Sequence, residues 1–367
     1  MCAANYSKAM APDQVSRRKF LFASGALVAT SASFGGMLAH TRNKASSVAQ
    51  TLTRSLPTNF AKAPVLPPDP ALEIEGMSSL ITPTADFFRI DTATSIPEID
   101  PTNWKLTLTG LIGTPRTISY DELVAMPLKE VDAMIGCVSN EVGGHLVGNA
   151  RWIGVSLDDV LHSVQPKSSA DQVLSKSSDG FSAGFPLRDA YGRNAIIAIG
   201  MNGEPLTPEH GFPARLIVPG LYGYVSATKW LTEIELTRLD KKKGFWITRG
   251  WSQLGPVKLE SRIDTPSQGQ TMSATATHIA GVAWAPIQGI SKVEIQVNEE
   301  PWRVATLGPE INGATWRQWW LKWTPEQGKH RITVRATDGN GKVQTKKVAT
   351  IDPDGATGWH YVYVDVV

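Results

Sequence analysis

The sequence predicts an α+β protein in two parts, a strand-rich mixed α/β region over 76–258 followed by an all-β sandwich over 259–367. Three observations predict it. In the first part, short apolar runs of strand length mix with capped helix starts, without a regular strand–helix–strand repeat. After about Glu260 the pattern changes to period-two strands at short intervals, separated by turn signals. The length of 367 residues suggests about two domains, and an apolar content of 42% fills ordinary globular cores.

The N-terminal segment, 1–40, reads as an export signal. Ser16-Arg17-Arg18-Lys19-Phe20-Leu21 precedes a small-residue apolar stretch from Leu21 to Ala39, the layout of a twin-arginine signal. That route carries folded proteins, and a cofactor inserted before export is a common reason to use it. Leu38-Ala39-His40 fits poorly as a small-residue cleavage site, so cleavage and retention as a membrane anchor both stand. No other stretch approaches the roughly 18 apolar residues that span a bilayer. The expected location is therefore periplasmic, extracellular, or anchored to the outer face of the cytoplasmic membrane. Residues 41–75, with Pro57, Pro64, Pro67, Pro68 and Pro70, read as a linker or extended arm.

Within the mixed region, Trp104 to Gly110 alternates as a half-buried strand, and Tyr120 to Met126 is a short helix stopped by Pro127. Ser156-Leu-Asp-Asp159 reads as a capping box opening a helix through His162. Ala195 to Gly200 is a buried strand entering the Asn202-Gly203 turn, and Arg215 to Val218 is another, ended by Pro219-Gly220. In the second part the expected strands are Lys292–Val297, Arg303–Leu307, Arg331–Ala336, Lys342–Ile351 and His360–Val366. Strands of this kind over about a hundred residues suggest an immunoglobulin-like β-sandwich without a disulfide. Trp316, Trp319, Trp320 and Trp323 crowd one strand; alternation puts Trp319 and Trp323 on one face and Trp320 on the other, a core face and a candidate interface.

The formal charge of +2 excludes the strongly basic profile of a nucleic-acid binder, and Lys241-Lys242-Lys243 reads as a solvated turn. Of the two cysteines, Cys2 precedes the signal, leaving Cys137 as the one thiol of the mature chain. A lone exposed thiol in an oxidising compartment is a liability. Cys137 is therefore either buried and inert or bound to something.

Six segments carry the chemistry. They are Phe87-Phe-Arg-Ile-Asp-Thr92 followed by Ile99-Asp-Pro101; Gly136-Cys-Val-Ser-Asn140; Gly148-Asn-Ala-Arg-Trp-Ile-Gly-Val155; Met201-Asn-Gly-Glu-Pro205; His210-Gly-Phe-Pro-Ala-Arg215; and Val218-Pro-Gly220 through Lys229-Trp230. In this order they resemble the molybdenum domain of the sulfite oxidase family, and the sandwich resembles the dimerisation domain that follows it there. The resemblance covers roughly 76–367, and its architecture is similar to the haem-free members. It implies molybdenum held by the Cys137 thiolate and by the dithiolene of a molybdopterin, a soft-sulfur set suited to that metal. It implies cofactor contacts at Arg89, His210, Arg215, Ala227, Thr228 and Lys229, and at Asp179 or its neighbour Ser178. Arg is suited to phosphate through paired hydrogen bonds, and Lys acts as a point charge. Arg151 and Trp152 read as packing beneath the site.

Arg89 is also the candidate for holding a substrate oxyanion, and Trp251 takes the place of a catalytic tyrosine. Animal and plant sulfite oxidases carry a second arginine shortly after the cysteine, where this chain has Glu141, Val142 and Gly143. They carry an active-site tyrosine five residues after a tryptophan; counted from Trp246, this chain has Trp251. The expected function is molybdopterin-dependent oxygen-atom transfer, oxidation of sulfite to sulfate with an external electron acceptor such as a cytochrome. Reduction of a sulfoxide on the same cofactor is the variant reading. A non-catalytic extracellular β-sandwich binding protein is the reading from another class. Homodimerisation through the sandwich is implied by the resemblance.

Overall fold

A computed structural model describes residues 55–367; the segment read as a signal, with Cys2, and linker residues 41–54 lie outside the described residues. Among the described residues no helix is long and apolar enough to cross a membrane.

The first half is built on two five-stranded sheets. In one, β1 (Lys105–Gly110) pairs antiparallel with β2 (Arg116–Ser119) and parallel with β10 (Leu231–Thr237), which continues through β5 (Gln172–Ser177) to β6 (Ser182–Pro186). In the other, β3 (Leu128–Gly136), β4 (Val147–Ser156), β7 (Ile196–Met201) and β8 (Glu204–Pro205) lie side by side, and β9 (Arg215–Ile217) also pairs with β7. Leu106, Leu108, Val155, Ile197, Ile199 and Leu216 share one core, whereas Ile196, Ala198 and Met201 of β7 face a second core with Trp152 and Phe87. Burial on both faces is why Ile196–Met201 reads as an unbroken apolar run rather than an alternating one. Asn202 and Gly203, at φ of 53° and 87°, make the expected tight turn into β8.

Helices are few and short: Tyr120–Ala125, Leu157–His162 and Gly223–Ser226 are the α-helical ones among the described residues. The fold is thus richer in strand than the α+β expectation. The capping box expected at Ser156 is only half formed, the Ser156 hydroxyl accepting the Asp159 N–H at 3.4 Å. The reciprocal box occurs instead at Ser119, where glutamate is long enough for Glu122 to reach back to the Ser119 N–H at 2.8 Å.

In the second half, one sheet runs β11 (Glu260–Thr265), β13 (Thr277–Trp284), β17 (Arg317–Trp323) and β16 (Thr306–Leu307). The other runs β12 (Thr271–Met272), β19 (Tyr361–Val366), β18 (Gly328–Asp338), β14 (Ile290–Val297) and β15 (Arg303–Val304). Ile279, Trp319 and Trp323 from the first meet Val293, Val334 and Val364 from the second in one core. Two strand expectations are corrected. Arg303–Leu307 is not one strand: it breaks at buried Ala305, and its two ends join different sheets. Lys342–Ile351 forms no regular strand, since its lysines and the exposed Val343 and Val348 offer no face to bury; isolated bridges at Val343 and Ala349 are its only pairing. On the face of β17 expected as a candidate interface, Trp320 packs, partly buried, against Ile74 and Met77 of the same chain.

The two halves are joined along β3. Met134 N–H donates to Ala314 O at 3.0 Å, Trp316 N–H to Asn149 Oδ1 at 3.0 Å, and Arg262 Nη1 to Gly144 O at 2.9 Å. Trp316 fills the seam with Met134, Val147, Val282 and Trp284. The loop that follows β3 is therefore clamped from both sides.

Candidate functional site

Cys137 is the first residue beyond β3, held by its N–H donating to Leu146 O at 2.8 Å. The Ser139 N–H points at its sulfur from 3.4 Å. Burial of the thiol raises its pKa, with the Ser139 contact opposing. As a free thiol it is therefore a poor nucleophile, and only a bound cation makes the thiolate its natural form.

Beside the strand end runs the one-turn helix Gly223–Ser226. A Cβ on Gly223 would lie 3.8 Å from Gly136 O and 3.5 Å from Ala227 Cβ, so the helix bridges the Cys137 loop to Ala227, Thr228 and Lys229. Thr228 is fully buried, its hydroxyl 2.7 Å from that of Ser175. The Lys229 side chain, only 8% exposed, pairs with Asp91 at 2.6 Å and donates to Glu209 O at 3.0 Å. Burial lowers the Lys229 pKa to about 8 despite Asp91.

Arg215 opens β9 and is buried under the site. Its guanidinium carbon lies 5.1 Å from the Trp152 ring centre, Nη1 donates to His210 O at 3.0 Å, and Nη2 reaches Ala227 O at 3.5 Å. Its Nε has no partner. Burial pushes its pKa down to about 9, which leaves a delocalised cation at neutral pH. A guanidinium buried without a carboxylate carries a desolvation cost of several kcal/mol, which an anionic ligand would offset. Trp152, with Nε1 donating to Ala133 O at 3.1 Å, is the packing plate beneath Arg215. Arg151 points elsewhere, to Asp132 at 2.8 Å.

His210 lies beside Arg215, and burial together with Arg215 lowers its pKa to about 4, so it is neutral at physiological pH. Its Nε2 stands 3.1 Å from Thr84 O, which only an N–H can satisfy, leaving Nδ1 as an acceptor. Gly211, at φ of 103°, could not be replaced: a Cβ there would sit 2.9 Å from Lys229 Cβ. The glycine lets the His210 loop lie flat on Lys229.

Arg89 reaches the same cluster from the 84–92 segment, donating from Nε and Nη2 to Asp91 at 2.7 and 3.3 Å. Asp91 thus joins Arg89 to Lys229, and both cations hold its carboxyl below the ordinary range against the opposing effect of burial. Thr92 donates to Asp179 Oδ2 at 3.2 Å, while Oδ1 accepts the Phe181 N–H at 3.0 Å. Arg89, Asp179, His210, Arg215, Ala227, Thr228 and Lys229 therefore form one cluster, which the Gly223–Ser226 helix connects to the strand end at Gly136. Trp251 does not join them. It packs against Tyr224 of the helix beside Gly136 at 5.9 Å and against Trp246 at 6.3 Å. Asp91 was missed by sequence reasoning, although it lies within the Phe87–Thr92 segment; a buried carboxylate between two cations has no spacing signature.

The donor set fits a group with a soft metal at one end and a phosphate at the other. One thiol stands at the strand end. Two cations, Arg89 and Lys229, share the Asp91 carboxylate, and a third, Arg215, is buried with only carbonyl partners and one guanidinium nitrogen unpartnered.

The comparisons with known proteins point the same way. The family described as oxidoreductase molybdopterin binding domain matches residues 93–246. An uncharacterized oxidoreductase, YuiH of Bacillus subtilis (strain 168), is 36% identical over 156 residues, covering 42% of this chain and 76% of that protein. The mitochondrial sulfite oxidase of Rattus norvegicus is 30% identical over 353 residues, and the match takes in 82% of this chain but 64% of the rat protein. The sulfite oxidase of Arabidopsis thaliana is 30% identical, with 67% of each chain covered. Among solved structures, the sulfane dehydrogenase SoxCD of Paracoccus pantotrophus shares the fold, with a TM-score of 0.67 over 97% of both chains at 19% identity.

Proposed function

Because the chain belongs to the sulfite oxidase family of molybdopterin-dependent oxidoreductases, we propose that it transfers oxygen at sulfur, oxidising sulfite to sulfate with water as the oxygen source. Its cofactor is molybdenum–molybdopterin, which supplies the two-electron redox chemistry when bound. The chain's own residues bind and orient. Cys137 gives the protein thiolate to the metal. Arg215 and Lys229 would hold the phosphate end beside Ala227 and Thr228; neutral His210 would present Nδ1 as an acceptor, and Asp179 would close that side.

Arg89 carries the substrate reading. It is the exposed member of the cation cluster, with 38% of its side chain accessible, and Asp91 takes its Nε and Nη2. Nη1 makes no hydrogen bond among the described residues and can take an oxyanion oxygen. Electrons then leave one at a time to an external acceptor such as a cytochrome. Sulfite-dependent reduction of cytochrome c by the purified, molybdenum-loaded enzyme tests this; full loading without any sulfite turnover overturns it.

A second reading, reduction of a sulfoxide, is favoured by the uncharged residues at the two positions where the chain departs from the sulfite oxidases, Val142 and Trp251. Val142 packs 3.7 Å from where a Cβ of Gly358 would stand, and Trp251 packs on Tyr224. A neutral substrate needs no second cation. Reductant-driven consumption of methionine sulfoxide measures it directly. Family membership sets aside the non-catalytic binding-protein reading.

The boundaries 76–258 and 259–367, the immunoglobulin-like character of the sandwich and its role in homodimerisation belong to the same proposal. A sedimentation mass of one chain would contradict the dimer. Export by the twin-arginine route predicts holoenzyme outside the cytoplasm, and replacing Arg17 and Arg18 with Lys should trap it inside.

A further inference from the structure

Behind the Cys137 loop lies a group of buried polar residues that cofactor binding does not use. Glu260, the first residue of β11, is 3% exposed, and Asn140 is 5% exposed. The Asn140 amide faces the Glu260 carboxyl, yet Asn140 Nδ2 and Glu260 Oε1 are both buried without a geometrically sound hydrogen bond. Asn140 is not free to turn away. Its Oδ1 accepts the Leu146 N–H at 2.8 Å, and its backbone N–H donates to Cys137 O at 3.0 Å.

Tyr222 is buried close enough to Glu260 to feel its charge. A Cβ on Gly136 would stand 3.7 Å from Tyr222 Cε1, so the ring borders the metal-ligand strand end. Its hydroxyl, at the far end, accepts the Lys258 N–H at 3.4 Å and lies so close to Gly355 that a Cβ there would be 2.8 Å away. Glu260 and Cys137 both raise the phenol's pKa, as burial does before them. Lys258 Nζ donates to Asp354 Oδ1 at 2.8 Å, and the two residues line a surface cavity of about 480 Å³ with Val257, Leu259, Gln344 and Thr357. The Asp354 side chain is half exposed there.

We propose that Glu260 is a proton relay between the Cys137 side of the site and solvent, through Tyr222 and the cavity at Lys258 and Asp354. The inference rests on the oxygen-transfer reading. Sulfite gaining the oxygen of one water releases two protons and two electrons; the electrons pass singly to the external acceptor, and the protons need a route out. The Glu260 carboxylate takes one proton at a time, forming its O–H bond, and loses it toward Tyr222 and the cavity before the next. In sulfoxide reduction the same relay runs inward, delivering the two protons that become water. Burial raises the Glu260 carboxyl to about 8, with Lys258 and Asn140 opposing, so both protonation forms are within reach near neutral pH. Lys258 is the charged group that bears on Glu260, and Glu260, Cys137 and Asp354 in turn bear on Tyr222.

The test is infrared spectroscopy of the holoenzyme together with steady-state kinetics. Wild type should show the carbonyl stretch of a protonated carboxyl group that titrates with a midpoint near pH 8 and is absent from Glu260→Gln. Wild-type kcat for sulfite should rise as pH rises through that midpoint. In Glu260→Gln, kcat should fall about a hundredfold, the lower end of what a placed acid–base group contributes, with KM unchanged and the rise gone. A merely structural Glu260 would lower metal content or stability without moving the pH profile. The relay is overturned if wild type lacks the band, if the variant keeps it, or if the variant keeps the wild-type pH profile. Should the variant fail to load its metal, the wild-type titration alone decides. The band is read without substrate, so its loss and failure of the sulfite reading are separate results; if sulfite is inert, kcat is read with methionine sulfoxide, whose rate should fall as pH rises.

Discussion

The two flanks of Cys137 are built on opposite physical terms. On one flank Arg89 and Lys229 share a single carboxylate, Asp91, while Arg215 is buried without one and keeps a nitrogen unpartnered. On the other flank Val142 and Tyr222 are uncharged, Arg262 is already neutralised by Asp264, and the acid behind them, Glu260, is held largely protonated at neutral pH. The first flank is costly to fold empty and would suit an anion already formed, the role proposed above for the cofactor's phosphate. The second suits a reacting centre, where net charge changes during turnover and fixed charges would bias one direction.

The comparison breaks most sharply at the residue between the flanks. Cys137→Ser should remove the metal–thiolate absorption and lower oxygen transfer by more than the roughly 100-fold that loss of an outer-shell partner costs. A variant that keeps both the absorption and the activity would end the assignment. Next in size is Arg215→Met. Cofactor retention should weaken by about 2–5 kcal/mol, as when one partner of a buried charge pair is truncated. The cofactor-free protein should melt no lower than wild type, because the variant removes a buried unpaired cation. A large drop in the melting temperature of the cofactor-free form would make Arg215 structural instead.

The sequence was legible where a residue's role depends on its neighbours in the chain. His210 and Arg215 flank one tight loop, Ala227 to Lys229 are consecutive, and Cys137 follows an apolar strand, so local motifs carried them. Asp91 had no such signal. Its meaning comes from Arg89 two residues away and Lys229 on a distant loop, and only folding joins them. Glu260 is harder still: in sequence it opens an ordinary β-strand, and its protonated character comes from burial at the seam between the two halves of the chain, which no local pattern announces. The failed strand at Lys342–Ile351 shows the converse. Period-two spacing around three lysines predicts a strand only where some face can be buried, and here Val343 and Val348 stay exposed.

The cationic flank should also show itself through pH. Lys229 has a folded-state pKa of about 8, below the ordinary 10.5. Between those values the unfolded chain binds more protons, so this group makes the cofactor-free protein more stable as pH rises through that window. Anion binding runs the other way. Pyrophosphate affinity of the cofactor-free protein should fall as pH rises through about 8, by at most tenfold per pH unit for one proton. Lys229→Gln should abolish that step and bind pyrophosphate weakly at every pH. A wild-type affinity flat across the window would mean that Lys229 does not face the phosphate.

The smallest expected effect is on the uncharged flank, and it bears most directly on substrate. Val142→Arg adds a cation where the sequence departs from animal and plant sulfite oxidases. Val142 borders solvent and packs near Gly358, so an arginine there can extend outward without displacing the Cys137 loop. A charge-assisted hydrogen bond to sulfite is worth about 1.5–3 kcal/mol when fully formed, and partial exposure reduces it. The KM for sulfite should therefore drop by about tenfold at most, kcat should change little, and turnover of a neutral sulfoxide should be unaffected. If sulfite KM does not move while sulfoxide turnover collapses, Val142 lines the pocket of a neutral substrate. The cationic flank would then serve the cofactor alone.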